Sequence, residues 1–493
     1  MAGYQETINF YTSDFPHTLF PLNTNKVLIE NFSYKLSEYI YQNITHGSEG
    51  THTFLSQTKA YASKPKFHLR RTQKLDPVAD FFLYDLIYRN RRQFSKSKTK
   101  NRTNFGYRFH SGAPISTTQS YMEFKEVVNE GLKNFRFYAK FDISSYFNSI
   151  YHHDLVMWFN DVASSEEDAL FFDKFLRQTN SGRTVDCLAQ GIYPAKMLGS
   201  HFLSFIDNAN RLNSDILYRF MDDFYLFSND MDVLISDFSE IQRMLGDKGL
   251  SINPSKTLLG KTSSLKRTRN LDDMKIKLLR VRQRGIIGSA VEDDDEDWLE
   301  LGLDDEEIEY LFSLLKRENI EEEDAELVLS LMREKGNDIL EYIPDLLVKF
   351  PNLIKNIFYF CEHVEDKNQL GTFVRNFIEQ NAAATEYQLF WLAKLLEEQL
   401  INTPSTPNLI SGLYEAQNAT DISRAKILEI ADKRFGLSDM REEELRTGAS
   451  GWRSWSSAAG ARVEKKSNRN HLLGYFANGS SMNELIADCI KEL

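Results

Sequence analysis

The chain has 493 residues, 42% of them hydrophobic and 26% charged, a balance that excludes long disorder and predicts a globular protein of more than one domain. Its formal charge of −12 argues against a nucleic-acid binder only until the chain is divided. Residues 1–290 carry 38 Lys and Arg against 30 Asp and Glu, a net of +8, and residues 291–493 carry 21 against 41, a net of −20, so two units with different partners are expected.

Cys187, Cys361 and Cys489 are too far apart for a disulfide framework or a cysteine zinc site. The first residues show no basic stretch followed by an apolar core, and no run of about 18 apolar residues occurs, so a cytoplasmic protein without a membrane span is expected.

In chain order, Lys59–Arg108 holds 14 Lys and Arg against three Asp, interleaved with Phe67, Phe81, Phe82, Tyr84, Tyr88, Phe94, Phe105 and Tyr107. That mixture suits a groove for phosphates and stacked bases; a solvated loop beside ordinary helix faces has the same composition. Phe135–Ile143 reads as a strand, with helix from about Tyr146. Leu217–Met221 and Phe224–Ser228 read as a hairpin closed by Asp222-Asp223. Asp-Asp is a poor turn pair, and a broken local rule there points to function. A helix over Asp232–Lys248 ends near Gly249.

The acidic stretch Val291–Asp297 reads as a linker or the first turn of an acidic helix, and marks a boundary. Beyond it, helices are predicted around Asp304–Arg317, Glu322–Lys335, Asn352–His363, Thr385–Leu400 and Ile422–Phe435. They suggest an irregular HEAT-like array without a strict repeat. Arg446–His471 is a basic island in this acidic half, with six Lys and Arg against Glu464 alone, plus Trp452 and Trp455. It reads as a Gly/Ser/Ala loop facing nucleic acid, the other domain or solvent.

Three carboxylates carry the chemistry: Asp142 at the end of a strand, and Asp222 and Asp223 at the hairpin tip. Singly, Asp142 suits a helix N-cap and the Asp pair an exposed turn. Together they suit Mg²⁺ (or Mn²⁺), which takes oxygen ligands and leaves room for water and phosphate. Two such ions activate a 3′ hydroxyl and steady a departing pyrophosphate, the chemistry of a polymerase palm. Side chains alternate along a strand, so Asp222 and Asp223 are not expected to point the same way, and one of them, by the pattern Asp222, is expected as the main ligand. Gly260-Lys261-Thr262 is not a phosphate loop, since Ser255 stands where the earlier Gly is required. His152-His153 flank a helix rather than bind zinc.

Four segments in order resemble reverse transcriptases. Phe141–Ile150 resembles their first catalytic motif, and Gln190-Gly191-Ile192-Tyr193-Pro194 their Gln-Gly segment. Phe220–Asp223 resembles their Tyr-x-Asp-Asp box with Phe for Tyr, and Gly249–Thr257 their Gly-Leu-x-Ile-Asn-x-x-Lys-Thr motif. The resemblance implies an α+β fingers and palm over residues 1–290, followed by an all-α, HEAT-like domain over 291–493. It implies Asp142, Asp222, Asp223 and Lys256 as catalytic residues, with Ile143 joining Asp142 and Asp222 at the metal and touching the nucleotide. It places Phe147 beneath the incoming sugar, where its ring excludes a 2′-hydroxyl; the other reading is a core aromatic. Gln190 and Gly191 approach nucleotide and template. Lys256 protonates or neutralises the pyrophosphate. Lys66–Arg71 and Leu75–Asp85 resemble the fingers, where Arg70 or Arg71 grips the triphosphate or stands as a solvated charge.

The chain departs from the wider family at Phe220, at Ala195 where a later Ser is usual, and after Thr257, where no clear primer grip appears, although Lys275–Arg280 lies about where one falls. With Tyr151–Trp158 following the first motif, it resembles the bacterial abortive-infection (Abi) reverse transcriptases, especially the prophage-type (P2-like) members. That resemblance implies template-independent DNA synthesis from dNTPs, primed by a protein tyrosine. A single-stranded DNA product covalently attached to a homo-oligomer, and an antiphage role, come with it. The N-terminal tyrosines Tyr4, Tyr11, Tyr34, Tyr39 and Tyr41 would reach the palm if their segment were mobile. The alternatives are a conventional RNA-templated (retron-like) reverse transcriptase and a non-catalytic interaction protein.

Overall fold

The computed structural model describes residues 4–46, 52–96, 101–186, 188–265, 274–275, 277–279, 281–282 and 303–493. The boundary expected near residue 290, the acidic run Val291–Asp297, Cys187, Arg280 and part of the basic Lys59–Arg108 stretch lie outside the described residues.

The first half opens with α1 (Gln5–Asp14) and α2 (Asn23–Glu38), followed by a hairpin of β1 (Thr58–Ser63) and β2 (Leu69–Lys74). Asp76 caps α3 (Pro77–Arg89) by accepting from the Ala79 amide, and Pro77 supplies a pre-set φ at its first position. Then come β3 (Arg102–Asn104), β4 (Phe109–His110), β5 (Ala113–Pro114), α4 (Thr117–Asn134) and β6 (Phe137–Asp142). Four helices follow, α5 (Tyr146–Ser149), α6 (His152–Val162), α7 (Glu166–Thr179) and α8 (Tyr193–Phe202), and then the single turn α9 (Ser204–Asp207). The half closes with β7 (Ile216–Phe220), β8 (Asp223–Ser228), α10 (Met231–Gly246), β9 (Leu258–Lys261) and α11 (Thr262–Leu265).

Five strands form the central sheet in the order β3-β7-β8-β6-β9, parallel only between β3 and β7. Alternation along β6 and β8 sorts side chains between two cores. Phe141, Phe224 and Leu226 enter the main core, where the Phe141 and Phe224 rings stack 5.0 Å apart. Tyr138, Tyr225 and Phe227 join Phe105 and the α4 residues Phe124 and Val128 in a smaller core on the opposite face. Truncating a ring such as Phe141 costs about 3–5 kcal/mol, so the sheet end bearing Asp142 is firmly seated.

The second half is helical among its described residues: α12 (Asp305–Leu315), α13 (Glu322–Leu331), α14 (Gly336–Ile339), α15 (Ile343–Lys349), α16 (Ile354–Cys361) and α17 (Lys367–Gln380). It continues through α18 (Glu386–Leu395), α19 (Thr406–Glu415), α20 (Asp421–Leu428), α21 (Leu437–Arg446), α22 (Trp452–Gly460), α23 (Lys466–Ala477) and α24 (Ser481–Glu492). Reciprocal capping boxes start α12 at Asp304, α18 at Thr385 and α20 at Thr420. The helix expected over Ile422–Phe435 stops at Leu428. Phe435 and Gly436 both take left-handed φ, and the buried Arg441 guanidinium collects the carbonyls of Leu428, Ile430 and Asp432.

The basic island is not a loop. Its Trp452–Gly460 stretch is the buried helix α22, whose small residues let it approach other backbones closely. A Cβ on Gly460 would fall 2.2 Å from the Leu428 carbonyl oxygen. α22 packs on α2 of the first half, with Ser456 Oγ 2.8 Å from Thr24 Oγ1, so the island meets the other half of the chain.

The two halves interlock at the start of α2. The Glu429 carboxylate accepts from the amides of Asn23 (2.8 Å) and Thr24 (2.7 Å), and a negative group is favoured at a helix N-terminus. Lys426, fully buried, sits 2.6 Å from Glu397 and 2.7 Å from Glu429. Burial opposes its charge, but the two carboxylates outweigh burial and hold its ammonium above the ordinary lysine range. Cys361 and Cys489 are buried free thiols pushed up to about 12 by burial. Among the described residues no helix is long and apolar enough to cross a membrane.

Candidate active site

The catalytic hairpin closes one residue earlier than its sequence suggests. Phe220 pairs with Asp223, so the two-residue turn is Met221-Asp222 and Asp223 belongs to β8. Of the turn pair only Met221 has positive φ, at 58°, the sign pattern of a type II′ turn that normally places Gly there. A non-glycine residue in that region costs roughly 1–3 kcal/mol and persists only where its surroundings over-determine it. Arg219 supplies that constraint. Fully buried, it pairs both carboxylate oxygens of Asp207 (2.8 and 2.5 Å) and donates to the Ser200 and Met221 carbonyls (2.7 and 3.1 Å). Across the turn, a Cβ on Gly106 would meet the Met221 nitrogen at 3.1 Å and Ser200 Oγ at 2.3 Å, so Gly is required.

The β6–β8 register sets Asp142 opposite Asp223. Asp142 is 8% exposed; its Oδ1 has no hydrogen-bond partner, and its Oδ2 takes Lys256 Nζ at 2.6 Å. The Asn253 amide donates to the Asp142 carbonyl (2.9 Å) and the Ser144 amide to the Ser251 carbonyl (2.8 Å), tying the lysine-bearing segment to the strand end. Ile143 is buried and bridges Ile252. Burial, then Asp223 and Asp142, push the Asp222 carboxyl up to about 6, with Lys256 only partly offsetting them. Burial also raises Asp223, against the pull of Lys140. The Lys256 ammonium is held up by its hydrogen bond to Asp142.

Three repelling carboxylates and one orphaned oxygen ask for more positive charge than Lys256 provides. The donor set is oxygen only, which fits a hard divalent cation. Among the described residues no group of three or more His, Cys, Asp or Glu side chains is gathered closely enough to hold a metal ion by itself. Lys256, on Asp142 Oδ2, is one of the cationic groups there.

The β1–β2 hairpin brings basic residues to these carboxylates. The Lys64 ammonium is pushed down by burial, Arg70 and Lys256, and drawn back up by Asp222 and Asp142. Arg70 thus belongs to the cluster, whereas Arg71 points to Asp186 (3.0 Å), shared with Lys59 (2.9 Å). Phe147 is buried (3% exposed), its ring against Gly199 of α8. Thr72 Oγ1 donates to the Gln190 carbonyl, and Gly191, at φ 115°, is covered by the Leu19 side chain. Sequence reasoning missed Lys64, just before its Lys66–Arg71 window, and Lys140, which strand alternation places on the face of Asp142.

The N-terminal tyrosines lie at the start of α1 (Tyr4), within α1 and α2, and in the π-helical segment Tyr39–Thr45 that continues α2. Tyr11 is buried, Tyr4 is bonded to Ser37, and Tyr34 donates to Glu492. Tyr39 is bonded to Ser481, and Tyr41 donates to Asp85. His152, at the start of α6, is bonded to Asp173 at 2.9 Å.

Residues 82–310 match the family described as reverse transcriptase (RNA-dependent DNA polymerase). The chain carries a reverse transcriptase domain. It is a nucleotidyltransferase of the RNA-directed DNA polymerase type, and that family uses divalent ions such as Mg²⁺. No curated protein matches the chain. Solved structures similar to it include apo telomerase from Candida tropicalis, at 12% identity and TM-score 0.32, covering 83% of this chain and 72% of that one. Another is telomerase from Candida albicans in complex with the TWJ fragment of telomeric RNA, at 12% identity and TM-score 0.29, covering 78% and 65%. The hairpin cations Lys64 and Arg70 precede the matched reverse transcriptase residues.

Proposed function

We propose that the protein adds dNTPs to a protein tyrosine hydroxyl and then to the growing DNA strand, without a template, as an oligomeric antiphage polymerase of the abortive-infection kind. The observation that carries the polymerase part is the convergence of Asp142, Asp222 and Asp223 at one sheet end with Lys64, Arg70 and Lys256 around them. Template independence, tyrosine priming, oligomer formation and defence rest on the resemblance of Phe141–Trp158 to the Abi polymerases. The helical half, read as a HEAT-like scaffold, stands where a conventional thumb would follow.

In this reading Asp142 and Asp222, with the Ile143 carbonyl, would hold Mg²⁺ or Mn²⁺. When bound, the ions lower the pKa of the attacking hydroxyl and neutralise charge on the phosphates. The hydroxyl oxygen bonds to the α-phosphorus, the α–β bridging bond breaks, and pyrophosphate leaves; the hydroxyl proton passes to solvent. Lys64 and Arg70 hold the triphosphate, and Lys256 moves from Asp142 to the departing pyrophosphate. Phe147 packs beneath the sugar and selects deoxynucleotides, while Gln190 and Gly191 border the nucleotide.

A second reading, RNA-templated synthesis, is favoured by the family match itself. Incubating the purified protein with dNTPs and Mg²⁺, with no nucleic acid, separates the two. Protease-sensitive, protein-linked DNA supports the first. Synthesis that appears only on adding RNA template supports the second. No incorporation under either condition would leave the interaction-protein reading standing.

A further inference from the structure

We infer that the helical half positions the nucleotide-gripping hairpin, with Glu386 as the positioning residue. A two-stranded ribbon is marginally stable alone in water, yet β1–β2 carries Lys64 and Arg70 to the catalytic carboxylates. Asp186 and the Gln190 carbonyl hold one side of it, and further support comes from more than 300 residues away. Glu386, the first residue of α18, accepts from the outward-facing Tyr61 amide of β1 through Oε2 (2.9 Å). Its Oε1 accepts from Thr420, the cap of α20, at 2.6 Å. One buried carboxylate therefore ties the ribbon edge to two helices. Ser63 Oγ lies 2.9 Å from Thr385 Oγ1, the cap of α18. The ribbon tip Pro65–Phe67 packs on the Pro351–Leu353 turn, and the charge of Arg70 reaches Tyr387, the next residue on α18.

The tip is itself strained: Lys66 and Phe67 both have positive φ, and Phe67 is 68% exposed. Left-handed non-glycine residues need external restraint, and here the restraint belongs to another half of the chain. The ribbon cannot swing on its own. The helical half thus shares in setting its distance from Asp142 and Asp222, beside the first-half anchors at Asp186 and the Gln190 carbonyl, so nucleotide affinity depends in part on residues that touch no nucleotide.

The inference rests on the proposed triphosphate-gripping role of Lys64 and Arg70, and the experiment keeps the two apart. Single-nucleotide addition is measured for the full chain and for Glu386→Ala, Glu386→Gln, Ser63→Ala and Lys64→Ala, with amide exchange followed across residues 58–74. A hydrogen bond to a charged group is worth about 1.5–3 kcal/mol, so Glu386→Ala should raise KM for dNTP by about tenfold or more with kcat little changed. Ser63→Ala should shift it in the same direction by less. Glu386→Gln, which keeps one acceptor for the Tyr61 amide and turns an NH2 donor toward the Thr420 hydroxyl, should raise KM less than alanine does, and amide exchange in the ribbon should speed up only where KM rises. If Lys64→Ala raises KM and Glu386→Ala does not, the positioning inference is wrong. If Lys64→Ala leaves KM unchanged, the gripping role itself fails. Equal harm from Gln and Ala, or a fall in kcat that tracks loss of folded protein, also overturns the positioning role.

Discussion

Asp222→Asn removes one of three repelling carboxylates while keeping the shape of the side chain. In the metal-free protein the Asp222 carboxyl stands at about 6 against an ordinary 3.8, driven by burial first and then by Asp223 and Asp142. A carboxyl raised by folding is ionised more easily in the unfolded chain. Its penalty is absent below pH 3.8, grows as pH rises toward about 6, and is complete above it. At 1.36 kcal/mol per decade the span amounts to at most about 3 kcal/mol. The variant should therefore be more stable than the parent by about 1–3 kcal/mol in EDTA at pH 8, by roughly half as much at pH 5, and inactive in nucleotide addition. Mg²⁺ should stabilise the parent by mass action and the variant far less. Urea denaturation of both proteins at the two pH values, with EDTA and with Mg²⁺, reads all of this. A variant less stable than the parent in EDTA at pH 8 would refute the electrostatic reasoning.

Phe147→Ala should lower discrimination against ribonucleotides by about tenfold or more in competing single additions, each tenfold being about 1.4 kcal/mol; unchanged selectivity would leave Phe147 a core aromatic only. Arg219→Lys keeps a buried charge but cannot span Asp207 and the Met221 carbonyl at once. It should cut kcat about tenfold or more, and adding Met221→Gly, which relaxes the left-handed turn, should restore part of the loss. If the glycine gives no recovery, the turn geometry is not what Arg219 maintains. Glu429→Ala leaves Lys426 buried with one carboxylate and uncaps α2, a loss of about 3–5 kcal/mol. Limited proteolysis should then cut between the halves, and a variant as resistant as the parent would refute the clamp.

What could be read from the sequence was what is local. Asp142, Asp223 and Lys256 lie in short runs whose neighbours dictate their elements, and the structure brings them together. The hairpin is visible in the sequence, but its turn falls one residue earlier than the sequence suggests, because the sign of φ at Met221 is set by Arg219 and Gly106 from outside the turn. The Trp452–Gly460 helix reads as a loop in the sequence for a similar reason. Small residues favour turns locally, yet here they serve close packing on α2 and against the Leu428 carbonyl. Arg70 and Arg71 cannot be told apart by composition. They fall on opposite faces of β2, and the position of Asp186 engages one of them. No periodicity announces Glu386, a helix-first residue whose partner lies 325 positions away.

The clamp at α2 has a consequence in time. Asn23 and its partner Glu429 are separated by 406 positions, so during synthesis at about 5–20 residues per second the start of α2 waits roughly 20–80 s for its cap. Much of the palm can be assembled before that, because its strands pair over shorter separations. A ribosome-bound chain would thus hold its catalytic sheet while its two halves were still unjoined. Emergence of Glu429 is then the event that joins the two halves at α2.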